Sequence, residues 1–151
     1  MNAVSQKLKA ELNAALKQRE SVKVSVLRML ASEIHNAEIN KKRELSEEEI
    51  TGVLMTSAKK HRDSISQFES AGREDLTARE KKELEIIQSY LPESLGEQEL
   101  LELIKNAVEE AQASSPADFG KVMRALMPKI KGRAEGALVS DTVKKVLDLK
   151  T

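Results

Sequence analysis

The sequence predicts an all-α protein, with an N-terminal bundle of about four helices followed by a small C-terminal three-helix domain. Three observations carry that prediction. Apolar residues recur at three- and four-residue spacing in one segment after another, the signature of helical faces. No segment alternates apolar and polar residues with period two, so no sheet is expected. Helix start and stop residues fall between the periodic segments.

The first helix is expected over Val4–Leu16, with Val4, Leu8, Leu12, Ala15 and Leu16 on one face. A second fits Val22–Ile39, where Val26, Leu27, Leu30, Ala31, Ile34 and Ala37 form the stripe. Lys41-Lys42-Arg43 follows and reads as a solvated helix end, where the dipole favours cations. Ser46 to Glu49 has the spacing of a capping box and opens a third helix. Its stripe runs Ile50, Leu54, Ser57, His61, Ile65 and Phe68, and Gly72 is its expected stop. Thr77 and Glu80 have the same spacing and are expected to open the fourth helix, which carries Leu84, Ile87 and Leu91 and ends at Pro92. A hinge near Leu91–Leu95 divides the chain into domains 1–92 and 93–151.

Beyond the hinge the helices shorten. Glu97–Ala111 is amphipathic through Leu100, Ile104, Ala107, Val108 and Ala111. Ser115-Pro116-Ala117-Asp118 combines a capping serine, a first-turn proline and an acid. It introduces a helix with Phe119, Val122, Met123 and Leu126 inward. The last helix spans roughly Ala137–Leu149 and uses Val139, Val143, Val146 and Leu147.

Composition narrows the function classes. The 151 residues carry 25 Lys plus Arg against 25 Asp plus Glu, so contact with a polyanion has to be local. Phe68, Tyr90 and Phe119 are the only aromatic residues, which disfavours single-strand binding by base stacking. The chain has no cysteine, which removes disulfides, thiolate metal sites and cysteine nucleophiles. No apolar run has the length of a signal core or a membrane span, so a cytoplasmic protein without membrane contact is expected.

Catalytic candidates are sparse. His35 has Glu38 three residues on, but no further ligand completes a set. His61 lies on an apolar stripe and reads as a packing residue. Carboxylates sit at helix starts or on solvent faces, and phosphate-loop, dinucleotide and nucleophile-elbow motifs are missing. No catalytic residue, cofactor or metal is expected.

Charge bias is sharpest over 119–136. Lys121, Arg124, Lys129, Lys131 and Arg133 fall there, with no acid between Phe119 and Arg133. Pro128, Gly132 and Gly136 interrupt it, which predicts a short helix, a kinked basic connector and a second helix start. Free N–H groups at that start, flanked by cations, would suit phosphate. The candidate nucleic-acid-binding residues are therefore Lys121, Arg124, Lys129, Lys131, Gly132 and Arg133.

Gln67-Phe-Glu-Ser-Ala-Gly-Arg-Glu-Asp-Leu76, Tyr90-Leu-Pro-Glu-Ser-Leu95, Gly120-Lys-Val-Met123 and Pro128-Lys-Ile-Lys-Gly-Arg-Ala-Glu-Gly136 together resemble the YqeY proteins of the GatB/YqeY family. The second half is similar to the tail domain of the B subunit of tRNA-dependent amidotransferase. The resemblance implies an all-α, two-domain protein with a tRNA-linked C-terminal half. Its motif positions are Gly120, Lys121, Lys131, Gly132, Arg133 and Ala134. Gly96 and Ser140 depart from the family's more usual serine and asparagine, and Gly136 lies where the amidotransferase tail tends to have proline. Three readings follow: a non-catalytic tRNA-associated module; an adaptor docking an aminoacyl-tRNA synthetase or amidotransferase through the N-terminal helices; and, by family analogy alone, a carbon–nitrogen ligase using glutamine as amide donor.

Overall fold

Among the described residues, seven α-helices and one short 3-10 turn account for the regular structure, and no strand occurs. The computed structural model describes residues 2–131 and 133–149. Two compact units result, Met1–Leu91 and Pro92–Thr151, each with its own core.

The first unit contains α1 (Ala3–Gln18), α2 (Ser21–Lys41), α3 (Glu47–Ser70) and α4 (Glu74–Gln88). Asn2 caps α1, its side-chain oxygen accepting from Ser5 N–H at 3.0 Å. The expected stripes converge: Leu8, Val26, Leu27, Leu30, Ile34, Ile50, Leu54 and Ile87 are buried together. Each fully buried Leu or Ile contributes about 1.5–3 kcal/mol of transfer free energy. Tyr90 packs against this core, with the Lys7 ammonium 5.7 Å from its ring centre. Burial, and then the Glu11 carboxylate, push its phenol well above the usual range.

The expected capping box at Ser46 forms: Ser46 Oγ accepts from Glu49 N–H at 3.2 Å, and Glu49 Oε2 accepts from Ser46 N–H at 2.9 Å. Gly72 adopts φ +69 and closes the end of α3. Two differences from the sequence expectation in this unit have physical causes. α4 starts at Glu74, ahead of the expected Thr77; Thr77 is buried inside the helix and its hydroxyl donates back to Arg73 O at 2.9 Å. Acids at Glu74 and Asp75 favour the earlier start through the helix dipole. The Lys41-Lys42-Arg43 triplet is more than a solvated end. Lys41 and Arg43 both reach Glu49, at 2.9 and 2.7 Å, and so fasten the turn between α2 and α3.

The second unit holds α5 (Glu97–Glu110), the 3-10 turn Pro116–Asp118, α6 (Phe119–Ile130) and α7 (Gly136–Asp148). Its core joins Leu100, Ile104 and Val108 of α5 to Val122, Leu126 and Ile130 of α6 and Val139, Val143 and Leu147 of α7. Ser115 makes no side-chain cap. Asp118 does the local capping instead, its Oδ2 accepting from Ser114 N–H at 2.9 Å. The expected break at Pro128 does not occur, because Pro128 lies inside the last turn of α6. Both Pro128 and Arg124, whose carbonyl loses its N–H partner four residues on, are exposed, so water can solvate that carbonyl.

Candidate functional site

α6 and the segment after it carry the predicted cations. Lys121, Arg124, Lys129 and Lys131 are exposed, and Arg133 is partly exposed. Gly132 lies outside the described residues. Burial of Val122, Leu126 and Ile130 against α5 and α7 fixes the rotation of α6 and turns its charged positions outward. Lys121 and Arg124, three residues apart, project about 60° from each other on the solvent side of the helix. Lys129 projects about 80° to the other side of Lys121, toward the edge next to α5. The structure thus splits the cations into an outward pair, a flanking lysine, and Lys131 and Arg133 in the connector after the helix.

Acids from elsewhere in the unit meet several of them. Lys129 Nζ donates to Glu110 Oε1 at 3.0 Å, Lys121 lies 3.8 Å from Asp118, and Arg133 lies 3.8 Å from Glu99. Arg124 Nε donates to Gly120 O at 3.4 Å, one turn back along its own helix. Each ion pair is open to water, where such pairs add little to stability, so a phosphate can displace the acid at little cost. Asp118 is the best-held acid: the Ser114 N–H, and then Lys121, keep its carboxyl below the usual carboxylate range.

Arg133 has a second, structural task. Its Nε donates to Glu93 O at 3.1 Å, and its own carbonyl accepts from Leu95 N–H at 2.8 Å. Those bonds fasten the 93–95 segment to the connector between α6 and α7. The second helix start, expected near Ala137, falls at Gly136, with Glu135 at its N-cap and no side-chain cap bond. The first N–H groups of α7 are therefore not occupied by a capping side chain, but the adjacent Glu135 makes that end less attractive to an anion than the cations of α6. One cation not singled out by the sequence joins the surface: Lys144 of α7 sits 5.6 Å from the Phe119 ring centre.

A different grouping, in the first unit, escaped the reading of the histidines. His61 of α3 is buried, and its Nε2 faces two carboxylates of α4, Glu83 Oε2 at 3.2 Å and Glu80 Oε2 at 3.6 Å. His61 Nδ1 lies 2.8 Å from Ser57 O. The Ser57 hydroxyl is itself buried without a hydrogen-bond partner among the described residues. Glu80 and Glu83, three residues apart, share one helical face, but no sequence rule pairs that face with a histidine about twenty residues earlier. His35, the other histidine, is exposed.

Fold and surface together define a two-unit, all-helical protein that displays cations along one helix of its second unit. The chain belongs to the Yqey-like protein family, whose model matches residues 5–147. It is 31% identical, over 99% of its own length and 83% of the relative's, to the protein of Pyrenophora tritici-repentis named altered inheritance of mitochondria protein 41, mitochondrial. Proteins of the same name from Vanderwaltozyma polyspora and Lachancea thermotolerans are 34% and 30% identical. The matches cover 56% and 73% of this chain, and 46% and 60% of those relatives. These names correct the expectation of a cytoplasmic protein: the relatives are named as mitochondrial. The expectation rested on features that separate secreted from non-secreted chains and cannot tell one reducing compartment from another.

Proposed function

We propose that the second unit is a non-catalytic module that contacts the sugar–phosphate backbone of folded tRNA through α6 and the connector after it. The observation that carries this reading is the run of exposed cations at Lys121, Arg124, Lys129 and Lys131, with Arg133 beside them, held outward by the burial of Val122, Leu126 and Ile130. Ion pairs that water already reaches leave these side chains ready to exchange a carboxylate for a phosphate. A structured RNA suits this surface better than a single strand, because helical RNA is recognised by shape and phosphate contacts and does not require stacking aromatics. The resemblance of this half to the tail of tRNA-dependent amidotransferase points to the same ligand, while catalysis does not pass between proteins with a shared fold.

The test is fluorescence anisotropy with a labelled tRNA and the variant Lys121→Glu/Arg124→Glu/Lys129→Glu. Arg133 is kept, since it also fastens the 93–95 segment. Binding should weaken at least about tenfold with helicity unchanged, because several phosphate contacts become repulsions. Unaltered affinity in the triple variant would remove the proposal.

A second reading is supported by a separate feature of the first unit. A groove of about 270 Å³ is lined by Leu8, Leu12, Leu27, Ala31 and Ile34, with Lys9, His35 and Glu38 at its polar positions. An apolar helix of a synthetase or amidotransferase could dock there, which would make the protein an adaptor. Capture from lysate before and after nuclease treatment separates the readings: an adaptor keeps its partner once RNA is destroyed.

A further inference from the structure

We propose that His61, Glu80 and Glu83 form a binding site for a divalent transition metal of the zinc class, bridging α3 and α4. Ser57 O can only accept, so the 2.8 Å contact assigns the ring proton to Nδ1. With that proton held on Nδ1, Nε2 is the ring atom that faces Glu83 Oε2 and Glu80 Oε2, at 3.2 and 3.6 Å, where an ion would take the place of a second ring proton. Three atoms able to ligate a metal thus face one spot, where a single cation can be shared among them. A backbone carbonyl that holds Nδ1–H while Nε2 faces the ion is the usual support of a metal-binding histidine.

The spacing fits. Metal–ligand bonds of about 2.0–2.1 Å in a tetrahedron put ligand atoms about 3.3–3.4 Å apart, between the two observed distances. All three donor atoms lie within 4.8 Å of one another. One imidazole nitrogen with two carboxylate oxygens suits zinc, or a neighbouring first-row ion, better than magnesium or calcium, which favour an all-oxygen set. Burial differs along the site: His61 is only 7% exposed, while Glu80 and Glu83 are partly exposed. An ion can therefore enter from the carboxylate side, and a fourth position remains for water. Arg79 Nε approaches Glu83 at 3.7 Å but uses the other oxygen, Oε1, and its side chain is 67% exposed. The ion would fasten α3 to α4 within the first unit. This inference is independent of RNA binding by the second unit.

The test is isothermal titration of the full chain, after treatment with a chelator, with zinc chloride, read together with the nitrogen shifts of His61. The expected result is one equivalent bound, direct perturbation of His61 Nε2, and a thermal midpoint that rises with zinc and falls again with chelator. Glu80→Gln and Glu83→Gln keep side-chain shape and helicity, so each should weaken binding at least about tenfold without unfolding the chain, as removal of a ligand exceeds the effect of losing its supporting partner. His35→Gln, on α2 and outside the His61, Glu80 and Glu83 group, should bind zinc as the parent does. Absence of saturable uptake would overturn the proposal. So would uptake that survives both glutamine substitutions or disappears with His35→Gln, since the ion would then sit elsewhere.

Discussion

Arg133 is where the structure makes its most specific demand. Replacing it by alanine removes the Nε donor to Glu93 O at 3.1 Å and the weaker approach to Glu99 at 3.8 Å. A hydrogen bond involving a charged group contributes about 1.5–3 kcal/mol when buried. The Arg133 side chain is 37% exposed, and the discount for solvent brings the expected loss to about 1 kcal/mol. In a unit this small that lowers the midpoint of thermal unfolding by roughly 4–8 °C. The local reporter is the Leu95 amide, which donates to Arg133 O at 2.8 Å. Its hydrogen-exchange protection should fall about fivefold, the factor equivalent to 1 kcal/mol. Arg133→Lys keeps the charge but not the guanidinium Nε, so it should share most of this loss while retaining affinity for tRNA. If Leu95 protection and the midpoint are both unchanged in Arg133→Ala, the clamp is not a stabilising contact and the reasoning fails.

Other expectations follow from single features. Ser57→Ala removes a buried hydroxyl that has no partner among the described residues and should be neutral or stabilising by up to about 1 kcal/mol, measured by urea unfolding. Arg19 ends α1 at φ 57, so Arg19→Gly should stabilise the first unit by roughly 0.5–1 kcal/mol, and a loss in the same assay would count against this. Arg43, then Lys41 and the Ser46 N–H, hold the Glu49 carboxyl well below the usual carboxylate range. Because the folded value is the lower one, the stabilisation is complete at neutral pH and is lost progressively as pH falls below about 4, toward the depressed folded value. Glu49→Gln should therefore flatten the acid limb of the stability profile, and an unchanged limb would show the cluster to be inert.

Helix count and core positions were legible in the sequence because each helix buries a single apolar stripe: Ile50, Leu54 and Ser57 of α3, for example, all lie inside as their spacing requires. Helix ends were less legible. Nothing local distinguishes Thr77 as a capping residue from Thr77 as a helical one; acids three residues earlier decided it. Arg19 and Lys42 take left-handed backbone where glycine would be expected, so those stops carry no compositional mark. Pro128 looked like a break but was accommodated, as its lost bond faces water. At the candidate interface, sequence revealed which cations are exposed but not their partners: Glu110 meets Lys129 from a different helix. His61, Glu80 and Glu83 were invisible as a group for the same reason, since pairing α3 with α4 is a tertiary fact.

The central claim, contact with tRNA phosphates through the cations of the second unit, is tested most directly by the affinity of the unaltered protein for tRNA across a series of potassium chloride concentrations. Three to five displaced phosphate counterions predict a log–log slope of roughly −2 to −4. A slope near zero, or no complex even at low salt, would contradict the account.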